Sequence, residues 1–139
     1  VEAFANRMNL KARAFGMNDS NFLNPNGLPA PGQYSTARDM TRLALVAYQN
    51  PIIRDLVRKP RVEWHYNDGR VKEFTNTNRV LKSFPFCNGM KTGYTEASGF
   101  CLISSASNGE RAVIAVVLGN TRDRIWTDSH RLLAWGLSS

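Results

Sequence analysis

Apolar residues first recur along this chain at helical spacing. Phe4, Met8 and Phe15, with Ala5 and Ala12, repeat at intervals of three and four, which predicts an amphipathic helix over residues 2–15. Gly16 follows as its C-cap. Residues 17–34 then lose all periodicity and fill with Asn, Asp, Pro and Gly, predicting a long loop of the kind that is often functional. Ser35 or Thr36 can cap a second helix, and Asp39 gives a capping-box-like pattern three residues after Thr36. Its apolar stripe is Met40, Leu43, Ala44 and Ala47, and Asn50-Pro51 stops it. A short helix over residues 52–57 follows.

From residue 61 the period becomes two. Val62, Trp64 and Tyr66 alternate with Glu63 and His65, Asn67-Asp68-Gly69 makes a hairpin turn, and residues 71–74 return. Residues 76–81 lead to a loop at Ser83 and Pro85. Three more strands are predicted over 86–93, 100–106 and 111–118, with Asn108-Gly109 as a hairpin turn between the last two. A closing helix runs over 124–135, with Gly136 as its stop. Helices, then an antiparallel sheet, then a covering helix make an α+β or layered α/β fold, with no repeat and no break marking a second domain.

Composition narrows the picture. The chain has 139 residues, is 42% hydrophobic and only 21% charged, which excludes a disordered polyelectrolyte. Its longest aliphatic run, residues 112–118, can form a strand but cannot span a bilayer. The net charge of +7 suits an anionic partner, such as an acidic wall polymer or a membrane surface. The cations are scattered, without a block and without interleaved aromatics, so nucleic acid is not the expected partner. Cys87 and Cys101 fit no short zinc pattern. A hairpin centred near Tyr94 would set them opposite each other, which leaves two readings: a disulfide or a pair of buried thiols. The chain begins at Val1 with no leader, so processing or a missing upstream segment is expected.

The candidate chemistry lies in Gly89-Met90-Lys91-Thr92-Gly93-Tyr94-Thr95, which ends one predicted strand and turns into the next. A Lys-Thr-Gly tripeptide recurs in penicillin-binding proteins and β-lactamases. Lys supplies a positive charge, Thr a hydroxyl donor, and Gly leaves a strand edge clear for a peptide to dock as an added strand.

Taken with the rest of the chain, this stretch resembles the serine-type D-Ala-D-Ala carboxypeptidases, the low-molecular-mass penicillin-binding proteins of peptidase family S11. Seven segments match in family order. They are residues 4–12 with Gly16-Met17, Phe22 to Pro29, Tyr34 to Asp39, Asn76 to Leu81, Gly89 to Thr95 with Ser98-Gly99, Val116 to Gly119, and Leu132 to Gly136. The resemblance implies a β-lactamase/transpeptidase-like antiparallel sheet with flanking helices. It implies acyl-serine chemistry needing no metal or cofactor, a peptidoglycan stem peptide ending in D-Ala-D-Ala as substrate, β-lactams as ligands, and a periplasmic or other extracytoplasmic location. It also implies roles. Lys91 would sit beside the nucleophile and its base, and the N–H of Tyr94 would donate to the oxyanion. Thr92 would bind the substrate's terminal carboxylate through its hydroxyl, and Gly93 and Thr95 would border the substrate. Arg124, with Arg122 as competitor, would grip its terminal carboxylate.

Two family motifs are absent from these residues. No serine has a lysine three positions later, and no Ser-x-Asn occurs. Tyr48-Gln49-Asn50 matches a variant of the second in letters only and reads as a helix end. Both motifs precede the Val1–Met17 segment in family order. Residues 1–139 are therefore expected to be the C-terminal portion of one catalytic domain, inactive alone and reliant on the N-terminal segment of that domain. The stripe of Phe4, Met8 and Phe15 is the patch expected to lie open. A non-catalytic peptidoglycan-binding remnant and a class A-like β-lactamase fragment are the alternatives. His65 and His130 read as surface residues, Trp64, Trp126 and Trp135 as packing, and Glu96 as a turn residue.

Overall fold

The alternation near the C-terminal end builds the centre of the molecule. In the computed structural model, which describes residues 1–139, three strands form an antiparallel meander: β3 (Cys87–Thr95), β4 (Gly99–Ser107) and β5 (Ala112–Asn120), in the spatial order β3-β4-β5. Around it lie α1 (Glu2–Ala14), α2 (Ala37–Gln49), α3 (Pro51–Val57), α4 (Val80–Ser83) and α5 (Arg124–Ser138). The hairpin of β1 (Arg61–His65) and β2 (Val71–Thr75) forms a separate two-stranded sheet.

Period-two side chains give the meander two faces. Leu102 and Ala106 of β4 and Ala115 of β5 turn to one face and meet Ile125 and Leu133 of α5, with Val80, Phe84 and Cys87 completing the core. Helices α2 and α3 pack against the same sheet. Gly136 does not stop α5, which continues to Ser138. A Cβ at Gly136 would lie 3.2 Å from Cγ1 of Val113, so this glycine serves the approach of helix to strand.

Gly16 performs its expected task. With φ at 75°, it lets its own N–H reach Arg13 O and that of Met17 reach Ala12 O, closing the end of α1. The loop after it is well tethered. Asn9 both donates to and accepts from the Phe22 backbone, Asn21 and Tyr34 exchange backbone bonds, and Gln33 accepts from the N–H groups of Leu23 and Asn24.

Thr36 caps α2 by accepting from Asp39 N–H at 3.1 Å, but the Asp39 carboxylate does not return to Thr36. It is fully buried and accepts from Asp19 N–H, Ser20 Oγ and Arg42 Nη1. Burial pushes its carboxyl up, and the bonds from Ser20, Asp19 and Arg42 outweigh that and hold it below its ordinary value of 3.8. A carboxylate whose folded pKa is lowered stabilises the fold above its unfolded pKa. That contribution is lost as pH falls through the folded value. The melting-point gap between wild type and Asp39→Asn is therefore expected to be widest near neutrality and to shrink below pH 3.8. A gap that stays constant into acid would contradict this origin of the stability.

Three expectations are corrected by the packing. The five strands do not make one sheet: every residue of β1 and β2 is exposed on both faces, including Trp64. Trp135 is likewise exposed, so only the half-buried Trp126 packs as expected, while His130 stacks on the Phe84 ring at 4.5 Å rather than standing free. The disulfide is absent. The β3–β4 turn falls at residues 96–98, so Cys87 pairs with Ala106 and Cys101 with Gly93. At about 3.3 Å per strand residue the two lie roughly 20 Å apart, and a bridge needs Cα atoms within about 7 Å. Burial pushes the Cys87 thiol up, as befits a packing residue, while Cys101 is half-exposed.

The expected apolar stripe on α1 is open only in part, since Met8 and Phe15 are half-buried. Phe4 is 55% exposed, and Phe4, Met8 and Phe15 line a furrow with Phe22 and Leu43.

Candidate active site

The site is built from the outer edge of β3. Because β4 covers only one side of it, the other side presents unpaired backbone groups to solvent. Lys91, Thr92, Gly93, Tyr94 and Thr95 all border a groove of about 1000 Å³. Pro25 to Leu28 also line it, held in shape by Asn24 and Asn26, whose side chains accept from Gly27 and Leu28 N–H. Thr75, Asn76 and Thr77, and Phe100, Arg122 and Trp126, line it as well.

Four cations line this groove, Arg79, Lys82, Lys91 and Arg122, and no carboxylate does. Such a cleft concentrates anions, and it gives the scattered positive charge a local use. Two of the guanidinium groups are steadied by aromatic rings: Arg79 lies 5.5 Å from the Trp126 centroid and Arg122 lies 5.8 Å from that of Phe100. Lys91 is exposed and donates to the carbonyl oxygen of Thr92, with no ion-pair partner.

The individual expectations fare differently. A Cβ at Gly93 would meet no protein atom within 4 Å, so the fold itself does not require glycine there. Thr95 borders the groove but also ties its own turn, accepting from Ser98 N–H at 3.0 Å. That task had been expected of Glu96, which is exposed. The Tyr94 ring packs on Phe100 with centroids 4.3 Å apart. Arg124 does not line the groove, and its Nε lies 3.8 Å from Asp128 one helical turn on. Arg122 sits in the groove instead, because residues 121–123 are still the turn that wraps around the end of β5 before α5 begins. Tyr48 lies away from the groove and its hydroxyl accepts from Asn88, so its helix-end reading stands.

A family profile described as D-alanyl-D-alanine carboxypeptidase matches residues 1–122. The chain belongs to this family. The D-alanyl-D-alanine carboxypeptidase DacC of Escherichia coli K12 is 40% identical over 97% of the chain and 33% of its own length. DacF of Bacillus subtilis is 38% identical over 85% of the chain and 30% of its own length. Among solved structures, a variant of the Streptomyces K15 DD-transpeptidase superposes with a TM-score of 0.93 at 28% identity. It covers all of the chain and 56% of the transpeptidase. The carboxypeptidase fold is thus present, and the chain spans about a third of the length of these two carboxypeptidases.

Several groove residues carried no motif signal. Thr77 and Arg79 sit in a segment matched only as family sequence, and Trp126 was read as packing. Pro25 to Leu28 had a signal, since long loops within compact domains tend to be functional.

Proposed function

We propose that this chain is the substrate-binding portion of a serine-type D-Ala-D-Ala carboxypeptidase, which removes the terminal D-alanine from peptidoglycan stem peptides. The observation that carries the reading is a free strand edge bearing Lys91-Thr92-Gly93 beside a groove of four cations and no carboxylate. A peptide extends along β3 as an added strand, and Gly93 leaves room for its backbone. Its terminal carboxylate meets the Thr92 hydroxyl and the Arg122 guanidinium, a charge-assisted pairing.

The nucleophilic serine and its lysine base come from polypeptide outside these 139 residues. The serine oxygen attacks the carbonyl of the penultimate D-Ala and passes its proton to the base. The Tyr94 N–H stabilises the oxyanion as it forms. The C–N bond then breaks, the departing D-Ala amine takes the proton, and water hydrolyses the ester. Lys91 raises the positive potential that keeps the base unprotonated before attack. This chemistry belongs outside the cytoplasm, where the wall is assembled, and β-lactams would occupy the same groove. No helix of this chain is long and apolar enough to cross a membrane.

The full-length gene product tests the reading. It should release D-alanine from an acetylated peptide ending in D-Ala-D-Ala and be acylated by labelled penicillin. A product that binds the peptide but is never acylated would favour a non-catalytic binding protein, the reading motivated by the absent Ser-x-x-Lys. The two arginines separate sharply. Arg122→Leu is expected to raise KM about tenfold, the value of one charge-assisted hydrogen bond. Arg124→Leu should change it little, and the reverse order would remove Arg122 from the carboxylate site.

A further inference from the structure

Thr77 and Thr92 come from segments far apart in sequence, yet their hydroxyl oxygens lie 2.6 Å apart at the groove. Thr77 is not loosely placed. Asn76 before it donates from Nδ2 to Val57 O at 3.1 Å and Lys59 O at 3.0 Å, and its N–H reaches Pro60 O. Asn78 after it is 2% exposed and donates from Nδ2 to Gly89 O at 2.9 Å, on the active-site strand itself. Asn78 Oδ1 accepts from Val80 N–H, and Asn76 Oδ1 from Asn78 N–H. One asparagine ties this turn to the α3–β1 connection and the other ties it to β3. The hydroxyl between them is fixed relative to Thr92 by five side-chain hydrogen bonds.

A threonine hydroxyl has one hydrogen to give and lone pairs to receive. An ionised carboxylate only accepts. If Thr92 gave its hydrogen to Thr77, it would have none for a carboxylate. With Thr77 as donor, Thr92 receives on a lone pair and keeps its own hydrogen for the groove. The chain of two hydroxyls then runs in one direction and each bond polarises the next.

We infer that Thr77 is a positioning residue that donates to Thr92 and thereby presents the Thr92 hydrogen to the substrate carboxylate. This rests on the carboxylate site proposed above. Thr77 is exposed, so its replacement leaves no buried cavity.

The test is a double-mutant cycle on the full-length gene product, with steady-state release of D-alanine from a peptide ending in D-Ala-D-Ala. Thr77→Val is expected to raise KM about fivefold, the worth of one hydrogen bond, with kcat little changed. Thr77→Ser, which keeps the hydroxyl, should restore KM. In a Thr92→Val background, Thr77→Val should add nothing, because on this reading Thr77 acts on the substrate through Thr92. A Thr77→Val effect that is absent, or that adds in full to that of Thr92→Val, overturns the inference and leaves the carboxylate site standing. A Thr92→Val variant with unchanged KM overturns the carboxylate site, and the role of Thr77 with it.

Discussion

Lys91→Ala is expected to lower D-alanine release by the full-length gene product by about 10²–10³-fold, the scale for loss of one preorganised electrostatic group. Its fold should survive. The Lys91 side chain is exposed at the strand edge, makes no ion pair, and bonds only to the carbonyl next to it. Exposed substitutions of this kind usually change stability by within about 0.5 kcal/mol. The rate loss is therefore chemical, arising from a weaker positive field at the base and at the incoming carboxylate. Measured kcat and a thermal melt decide it together. Unchanged turnover, or turnover lost in step with unfolding, would remove Lys91 from the chemistry.

The largest expected loss of stability comes from Leu102→Ala, at about 3 kcal/mol. Leu102 is 1% exposed and stands on the middle strand, opposite Thr92 of β3 and Val117 of β5. It packs within the cluster that contains Ile125 and Leu133 of α5, so truncation leaves a void beneath the substrate strand. Directly opposed residues share a face of the sheet, so the void opens beside the Thr92 hydroxyl. Urea unfolding of the full-length product should show the loss, with weaker peptide binding alongside. Leu102→Met, which conserves volume, should cost less than about 1.5 kcal/mol. An alanine variant as stable as the methionine one would show that the core closes over the gap.

Local chemistry explains which parts of this structure were legible in the sequence. Gly16 ends α1 through φ and two backbone bonds, all within six residues. The Gly69 and Gly109 turns declare themselves in the same way, with φ of 85° and 92°. What escaped depends on contacts between distant residues. Gly136 looks like a stop until Val113 is seen against it. The cysteine pairing hangs on where one turn begins, and a shift of the β3–β4 turn carries Cys101 from Cys87 to Gly93. Val80–Ser83 is a single helical turn, too short for any periodicity. Of the site, the Lys91-Thr92-Gly93 edge was legible because its residues are adjacent. Arg122 rather than Arg124 lines the groove, and spacing along the chain does not say which of the two faces it. The Thr77–Thr92 contact was invisible because it exists only once two segments meet in the fold.

The open edge of β3 has a cost for the living cell. Any extended polypeptide with a complementary register could pair there, including a second copy of this chain, and lengthen into an aggregate. The same lysine that serves the proposed chemistry stands midway along that edge, with further positive charge beside it. Two such edges brought together would set like charges against each other. A short peptide that carries its own negative terminus meets no such repulsion. The edge is thus guarded against self-association by the same charge that would favour an anionic peptide.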